Sequence, residues 1–168
     1  MAYDSGNIDS GFRKNRSNQT AEQRKEEQQM EECIFCKIIR GEAPCFKVYE
    51  DDKTIAFEDI NPVTQGHTLI VPKIHAENLY EIDPESLSAV HLTSQKVIRA
   101  IQKALNPIGV AAVQLNGRGV NQIIMHYHLH LMPRSADEPP LAASDCGAQQ
   151  ADMEALKRTA EKIAAAVE

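Results

Sequence analysis

The chain predicts an α+β fold: an antiparallel sheet of about five strands with one long helix and a C-terminal helix. Three observations carry that prediction. Five short apolar or alternating segments lie between turn signals, at Phe46 to Glu50, Thr54 to Phe57, Gly66 to Pro72, Ile108 to Leu115 and Ile123 to Met132. Two longer stretches, one ending near Leu105 and one near Val167, carry apolar residues at helical spacing. Strands outnumber long helices, and most can be joined as antiparallel neighbours.

Taken in order, residues 1 to 32 are rich in Ser, Asn, Gln, Arg and Glu and poor in branched aliphatics, so they predict a flexible polar tail. Thr20 with Gln23 forms a capping box, and Arg24 to Glu32 are mostly good helix formers, so a polar helix leads into the domain. Cys33 to Ile39 predicts a short apolar helix, which Gly41 ends by taking the left-handed conformation. A hairpin follows, turning at Asp51-Asp52-Lys53 and broken by Asn61-Pro62. The third strand ends at Pro72, which has no N–H to donate to a ladder.

Asp83 before Pro84 is an N-cap with proline at the first helical position, and the helix runs to about Leu105. Its Leu87, Val90, Val97, Ile98, Ile101 and Leu105 make the stripe that faces the sheet. Asn106-Pro107 stops it. Ile108 to Leu115 is the fourth strand, Asn116 to Asn121 a glycine-containing loop, and Ile123 to Met132 a fifth strand that pairs antiparallel with the fourth. A Pro- and Ala-rich connection precedes a last helix from about Gln149 to Val167, with Met153, Leu156, Ala160, Ile163 and Val167 on one stripe.

With 168 residues, 42% of them hydrophobic, the chain suffices for one domain, placed at residues 33 to 134 with a linker and helix at 135 to 168. A net charge of −6 argues against a non-specific nucleic-acid binder. No run has signal-peptide or bilayer-spanning length, which predicts a cytoplasmic protein without membrane contact. Four cysteines are too few for a disulfide framework here, and Cys33-x-x-Cys36 is a metal or redox motif.

Three of the six histidines fall at His126, His128 and His130. At a spacing of two in a strand they share one face, with Tyr127, Leu129 and Leu131 facing the core. The outer two stand about 13 Å apart, too far for one ion bound at about 2 Å to gather all three. A neighbouring pair sharing a metal with ligands from elsewhere stays open. So does a row of imidazoles offering nucleophile, acid/base and anion-binding functions near neutral pH.

The segment His126-Tyr127-His128-Leu129-His130-Leu131-Met132, followed by Pro133-Arg134, resembles the signature of the histidine triad (HIT) superfamily, in its HINT-like branch. Cys33 to Ile39, Ala56-Phe57-Glu58-Asp59-Ile60 and Gly66 to Lys73 resemble its other blocks, in the expected order. The resemblance implies a HIT-like fold and a nucleotide hydrolase or transferase, similar to purine nucleoside phosphoramidases. Its substrates are nucleoside monophosphate conjugates: phosphoramidates, adenylated amines or dinucleoside polyphosphates. It implies a covalent nucleotidyl-histidine intermediate on His128, with His130 donating to a phosphate oxygen.

By the same resemblance Gln122 contacts the phosphate or leaving group, though its amide equally suits capping the loop. Asp59 accepts the ribose hydroxyls or simply forms a turn, and Phe35, Ile38 and Ile60 wall the base or simply pack. Asn116 completes the nucleotide contacts. Asn121 and Ile123 stand where many members have Gly and Ser or Thr, and Leu115 where an amide is common. Cys33, Cys36, His75 and His126 match a structural zinc set found in part of the family, and a homodimer is the expected assembly. His67 reads as a structural strand residue. A nucleotide-binding or protein-interaction module with little turnover is the other reading the residues leave open.

Overall fold

The computed structural model of the chain describes residues 20–138 and 152–167. The tail before Thr20, most of the Pro- and Ala-rich connection, Cys146 and the expected helix start at Gln149 lie outside the described residues. The chain divides between Glu32 and Cys33 into two units.

The first unit contains helix α1 (Ala21–Glu32). Its start is the capping box expected from Thr20 and Gln23. The Thr20 N–H donates to Gln23 Oε1 at 2.9 Å, and the Gln23 N–H donates to Thr20 Oγ1 at 3.2 Å, so two orphan donors are satisfied reciprocally.

The second unit opens with the short helix α2 (Ile34–Ile39), after which Gly41 takes φ +75°, a conformation that favours glycine. Strands β1 (Lys47–Glu50), β2 (Thr54–Glu58) and β3 (Thr68–Pro72) follow, then helix α3 (Pro84–Leu105), β4 (Gly109–Val113), β5 (Leu129–Arg134) and helix α4 (Met153–Ala164). The sheet order is β1-β2-β3-β5-β4, antiparallel throughout. Asp83 caps α3 by accepting from the N–H groups of Glu85 and Ser86, and Asn106 closes it in the left-handed conformation.

Side-chain alternation gives the sheet two different faces. Ala56, Ile70, Leu129 and Leu131 meet Val90, Val97 and Ile101 of α3 and Ala160 and Ile163 of α4 in the larger core. Ile55, Phe57, Leu69 and Val71 point the other way, where the short helix α2, chiefly through Phe35, packs on them together with Cys45 and Ile124. That second face is thinly covered, which leaves room for a cavity.

The fifth strand differs from expectation. Only Leu129 onwards joins the ladder, so His126 and His128 precede it rather than sitting within it. Pro72 supplies the reason. The register that pairs Ile70 with Leu129 would set Pro72 opposite Tyr127, and proline has no N–H to donate. The Tyr127 N–H turns instead to the Ala76 carbonyl at 2.6 Å. The fourth strand is also shorter than the span Ile108 to Leu115.

Candidate active site

The face covered by α2 holds a cavity of about 510 Å³. Sheet order distributes its walls: Phe57 and Asp59 from β2 and its end, His67 and Leu69 from the approach to β3 and the strand itself, His128 and His130 from β5 and its approach. Leu69 pairs with His130 across the ladder, so their side chains share this face. Phe35 stands edge-on to both His128 and Phe57, with ring centroids 5.3 and 5.5 Å away. Ile38 and Ile60 also line the cavity, Ile60 with much of its side chain open to solvent.

The hydrogen bonds fix which nitrogen of each histidine is available. His128 Nδ1 donates to the carbonyl of His126 at 2.6 Å, which leaves the lone pair on Nε2. Burial holds this imidazole below its usual range, so it is neutral at pH 7 and able to attack. His67 Nδ1 accepts from the Val63 N–H at 3.3 Å, so its proton sits on Nε2, which donates to His130 Nδ1 at 2.9 Å. His130 therefore carries its proton on Nε2. Burial, with His128 and His67 as further contributions, brings its pKa down to about 3. It is a neutral donor rather than an imidazolium.

His67 is the residue that the sequence reading undervalued. It is buried, lines the cavity and lies 3.7 Å from Asp59 Oδ2. The available signal was the period of two: His67, Leu69 and Val71 share a face, so a histidine at its end faces the site and not the core. Asp59, His67 and His130 offer ligand atoms close enough to suit a cation. Both nitrogens of His67 are already engaged, so the cluster works as a hydrogen-bonded chain. Asp59 Oδ1 also accepts from the Asn61 N–H at 2.9 Å, so this carboxylate forms its turn while lining the cavity.

Gln122 and Asn116, expected to contact the nucleotide, do not line the cavity. Gln122 is 1% exposed. Its Oε1 accepts from the Gly117 N–H at 2.6 Å, and its Nε2 donates to the carbonyls of Glu77 and Ile124. Asn116 Oδ1 accepts from the Leu79 N–H at 2.8 Å, and its Nδ2 donates to Gln114 Oε1 at 2.6 Å. These amides satisfy the backbone of a tight loop and tie it to residues 77–79, and Gln122 has both of its N–H donors engaged in doing so.

Beside the cavity, Cys33, Cys36, His75 and His126 bring four ligand atoms within 4.8 Å of one another. Sγ of Cys33 lies 3.5 Å from His126 Nδ1, and Sγ of Cys36 lies 3.3 Å from His75 Nδ1 and 3.6 Å from His126 Nδ1. A tetrahedral ion with metal–sulfur bonds of about 2.3 Å and metal–nitrogen bonds of about 2.05 Å would set these atoms about 3.5 Å apart. The residues fit zinc. His126 Nε2 donates to the Pro72 carbonyl at 3.0 Å, which turns Nδ1 towards the sulfurs as a supporting shell should. Burial raises the Cys33 thiol, but its side-chain contacts with His126 and His75 outweigh it and bring it down to about 5. Burial and the charge of Cys33 push Cys36 up to about 12.

One buried acid was not singled out in the sequence. Glu58 is 1% exposed, and Thr68 donates to its Oε1 at 2.9 Å, while Oε2 has no partner among the described residues. Burial pushes its carboxyl up to about 8. The folded state thus holds a proton that the unfolded chain releases above its ordinary pKa of 4.5, so stability falls as pH rises from there to about 8. Glu58→Gln removes that dependence. Urea unfolding at pH 5 and pH 9 is expected to give similar stabilities at the lower pH and a variant more stable by a few kcal/mol at the higher.

The model of the HIT domain matches residues 40–137. A curated relative, the Hit protein of Bacillus subtilis, is 47% identical over 104 residues, covering 62% of this chain and 72% of that protein. The adenosine 5′-monophosphoramidase of Schizosaccharomyces pombe is 37% identical over 106 residues, covering 63% of this chain and 77% of that protein. Among solved structures, a zinc-bound histidine triad family protein from Mycobacterium smegmatis superposes with a TM-score of 0.71 at 30% identity, covering 82% of this chain and 94% of that one.

Proposed function

This chain belongs to the HIT domain family, and from that membership we propose that it is a nucleotide hydrolase or transferase working through a nucleotidyl-His128 intermediate. Its substrates in this reading are phosphoramidates, adenylated amines or dinucleoside polyphosphates. The observation that carries it is the tautomer of His128: neutral, with Nδ1 spent on the His126 carbonyl and Nε2 free at the cavity wall. The phosphoramidase name of the Schizosaccharomyces pombe relative supports the same reaction class.

Nε2 attacks phosphorus, and the bond to the leaving group breaks. The imidazole becomes cationic as it is phosphorylated, and its Nδ1–H bond to the His126 carbonyl steadies that charge. His130 Nε2–H donates to a non-bridging phosphate oxygen, held in register by His67. Water then attacks phosphorus and His128 departs, neutral again. Asp59 accepts the ribose hydroxyls, while Phe35, Ile38 and Ile60 wall a purine base. Gln122 acts by positioning: its clamp shapes the loop that overhangs the phosphate.

Zinc held by Cys33, Cys36, His75 and His126 would supply a structural cross-link and no open coordination position. The chain's own part is to fix the backbone at His126, whose carbonyl orients the nucleophile. A homodimer through the β4 edge and α3 is the assembly proposed, supported by exposed Ile108 beside that edge and Leu92 on that helix. No helix of the described residues is long and apolar enough to cross a membrane, in keeping with the cytoplasmic location proposed.

The test is release of AMP from adenosine 5′-phosphoramidate at pH 7, followed chromatographically. Turnover well above the rate without protein is expected. AMP binding without any turnover would replace the enzyme with a nucleotide-binding module.

A further inference from the structure

We propose that this site acts on nucleoside monophosphates joined through nitrogen to an apolar amine, and rejects leaving groups that carry carboxylates or phosphates. The proposal rests on the hydrolase reading above and narrows its substrate class.

The order of the sheet lays out the substrate. Asp59, at the end of β2, marks the nucleoside end, and His128, on the approach to β5, marks phosphorus. One strand further on is β4. Its register ends with Val113 opposite His130, and Leu115, two residues past the end of that ladder, lines the same cavity as His128. Whatever lies beyond phosphorus therefore meets Leu115 and the loop that follows it.

That end of the cavity is lined by Leu115, Asn121, Ile123 and Ile124. Ile123 is 73% exposed, so an apolar side chain is held at the mouth with little covering it. Its loop is not free to refold around a polar guest. Gln122, buried between Asn121 and Ile123, binds Gly117, Glu77 and Ile124 at once. An apolar group docking there removes hydrocarbon from water on both sides without any cost of ordering the loop.

Charge points the same way. Among the described residues, no lysine or arginine lines the cavity, while the carboxylate of Asp59 does. Of the two histidines nearest phosphorus, His128 has its Nδ1 engaged by the His126 carbonyl and His130 has its Nδ1 engaged by His67, so each presents only Nε2 to the cavity. A leaving nucleotide or carboxylate would lie against this apolar lining with no countercharge, whereas an amine leaves as a species that needs none. In the reaction Nε2 of His128 bonds to phosphorus, the P–N bond breaks with its electron pair going to nitrogen, and the amine takes a proton from solvent. Water then adds to phosphorus as His128 leaves, so one water is consumed across the P–N bond.

The experiment compares kcat/KM for three substrates: the benzylamine conjugate of AMP, the glutamate α-amine conjugate of AMP, and diadenosine triphosphate. The benzylamine conjugate is expected to lead the other two by about tenfold or more. Ile123→Lys, a change at an exposed position, is expected to lower the benzylamine-to-glutamate ratio by about tenfold. Equal or faster cleavage of either charged substrate, or an unchanged ratio in Ile123→Lys, overturns the proposal and leaves the hydrolase reading standing. Binding of AMP with cleavage of none of the three overturns both.

Discussion

His128→Ala is expected to lose turnover of adenosine 5′-phosphoramidate by about 10⁴-fold or more while AMP still binds within a few-fold of its original affinity. The asymmetry follows from the geometry. His128 is one of many groups around a largely apolar cavity, so under the proposed function nucleotide affinity would rest mainly on the residues proposed to wall the base and ribose. Among the described residues no other side chain has a free imidazole lone pair positioned to replace it, because His130 Nδ1 is occupied by His67 and His126 Nδ1 faces the two cysteines. Steady-state rates with isothermal titration of AMP separate the two quantities. A variant that keeps a tenth of the activity would show that water attacks phosphorus directly. His130→Ala offers a contrast, since it removes a donor and not the nucleophile, and belongs nearer 10²–10³-fold.

The second large effect concerns the metal set. Cys36→Ala is expected to reduce zinc from about one per chain to near zero and to destabilise the second unit by about 3 kcal/mol or more. Removing one ligand leaves the set short of a closed tetrahedron and deprives His75 Nδ1 of its partner at 3.3 Å. A chelator should lower the melting temperature of the original protein and leave the variant unmoved. If the protein purified without added metal carries almost no zinc, and the chelator changes nothing, the four residues form only a hydrogen-bonded cluster. Activity should fall too, by less than in His128→Ala, because the His126 carbonyl that orients His128 loses its anchor.

Local chemistry explains which parts of this molecule could be read in advance. The bounds of α3 are written in Asp83-Pro84 and Asn106, where a side-chain cap, a proline and a left-handed residue act within a few positions. The capping box at Thr20 and the left-handed Gly41 are equally local. The start of β5 was not legible in its own residues, since it depends on Pro72 across the sheet. Gln122 shows the same limit within the site. An amide beside a glycine loop suits a phosphate or a backbone, and only the fold shows that Gly117, Glu77 and Ile124 take all its bonds. The His67 contact to His130 and the burial of Glu58 likewise arise from pairings between strands. The set Cys33, Cys36, His75 and His126 joins segments far apart in the chain, so it was legible only through the family resemblance and not from any spacing rule.

The central claim is that His128 becomes covalently nucleotidylated. Protein mixed with adenosine 5′-phosphoramidate, quenched within the first turnover under mildly alkaline conditions and digested, is to be mapped by mass spectrometry. The account predicts a peptide containing His128 that is heavier by one adenylyl group, formed and then lost within a turnover, and absent from His128→Ala. Full single-turnover release of AMP with no labelled peptide at any quench time, or a label on His130 instead, would contradict it.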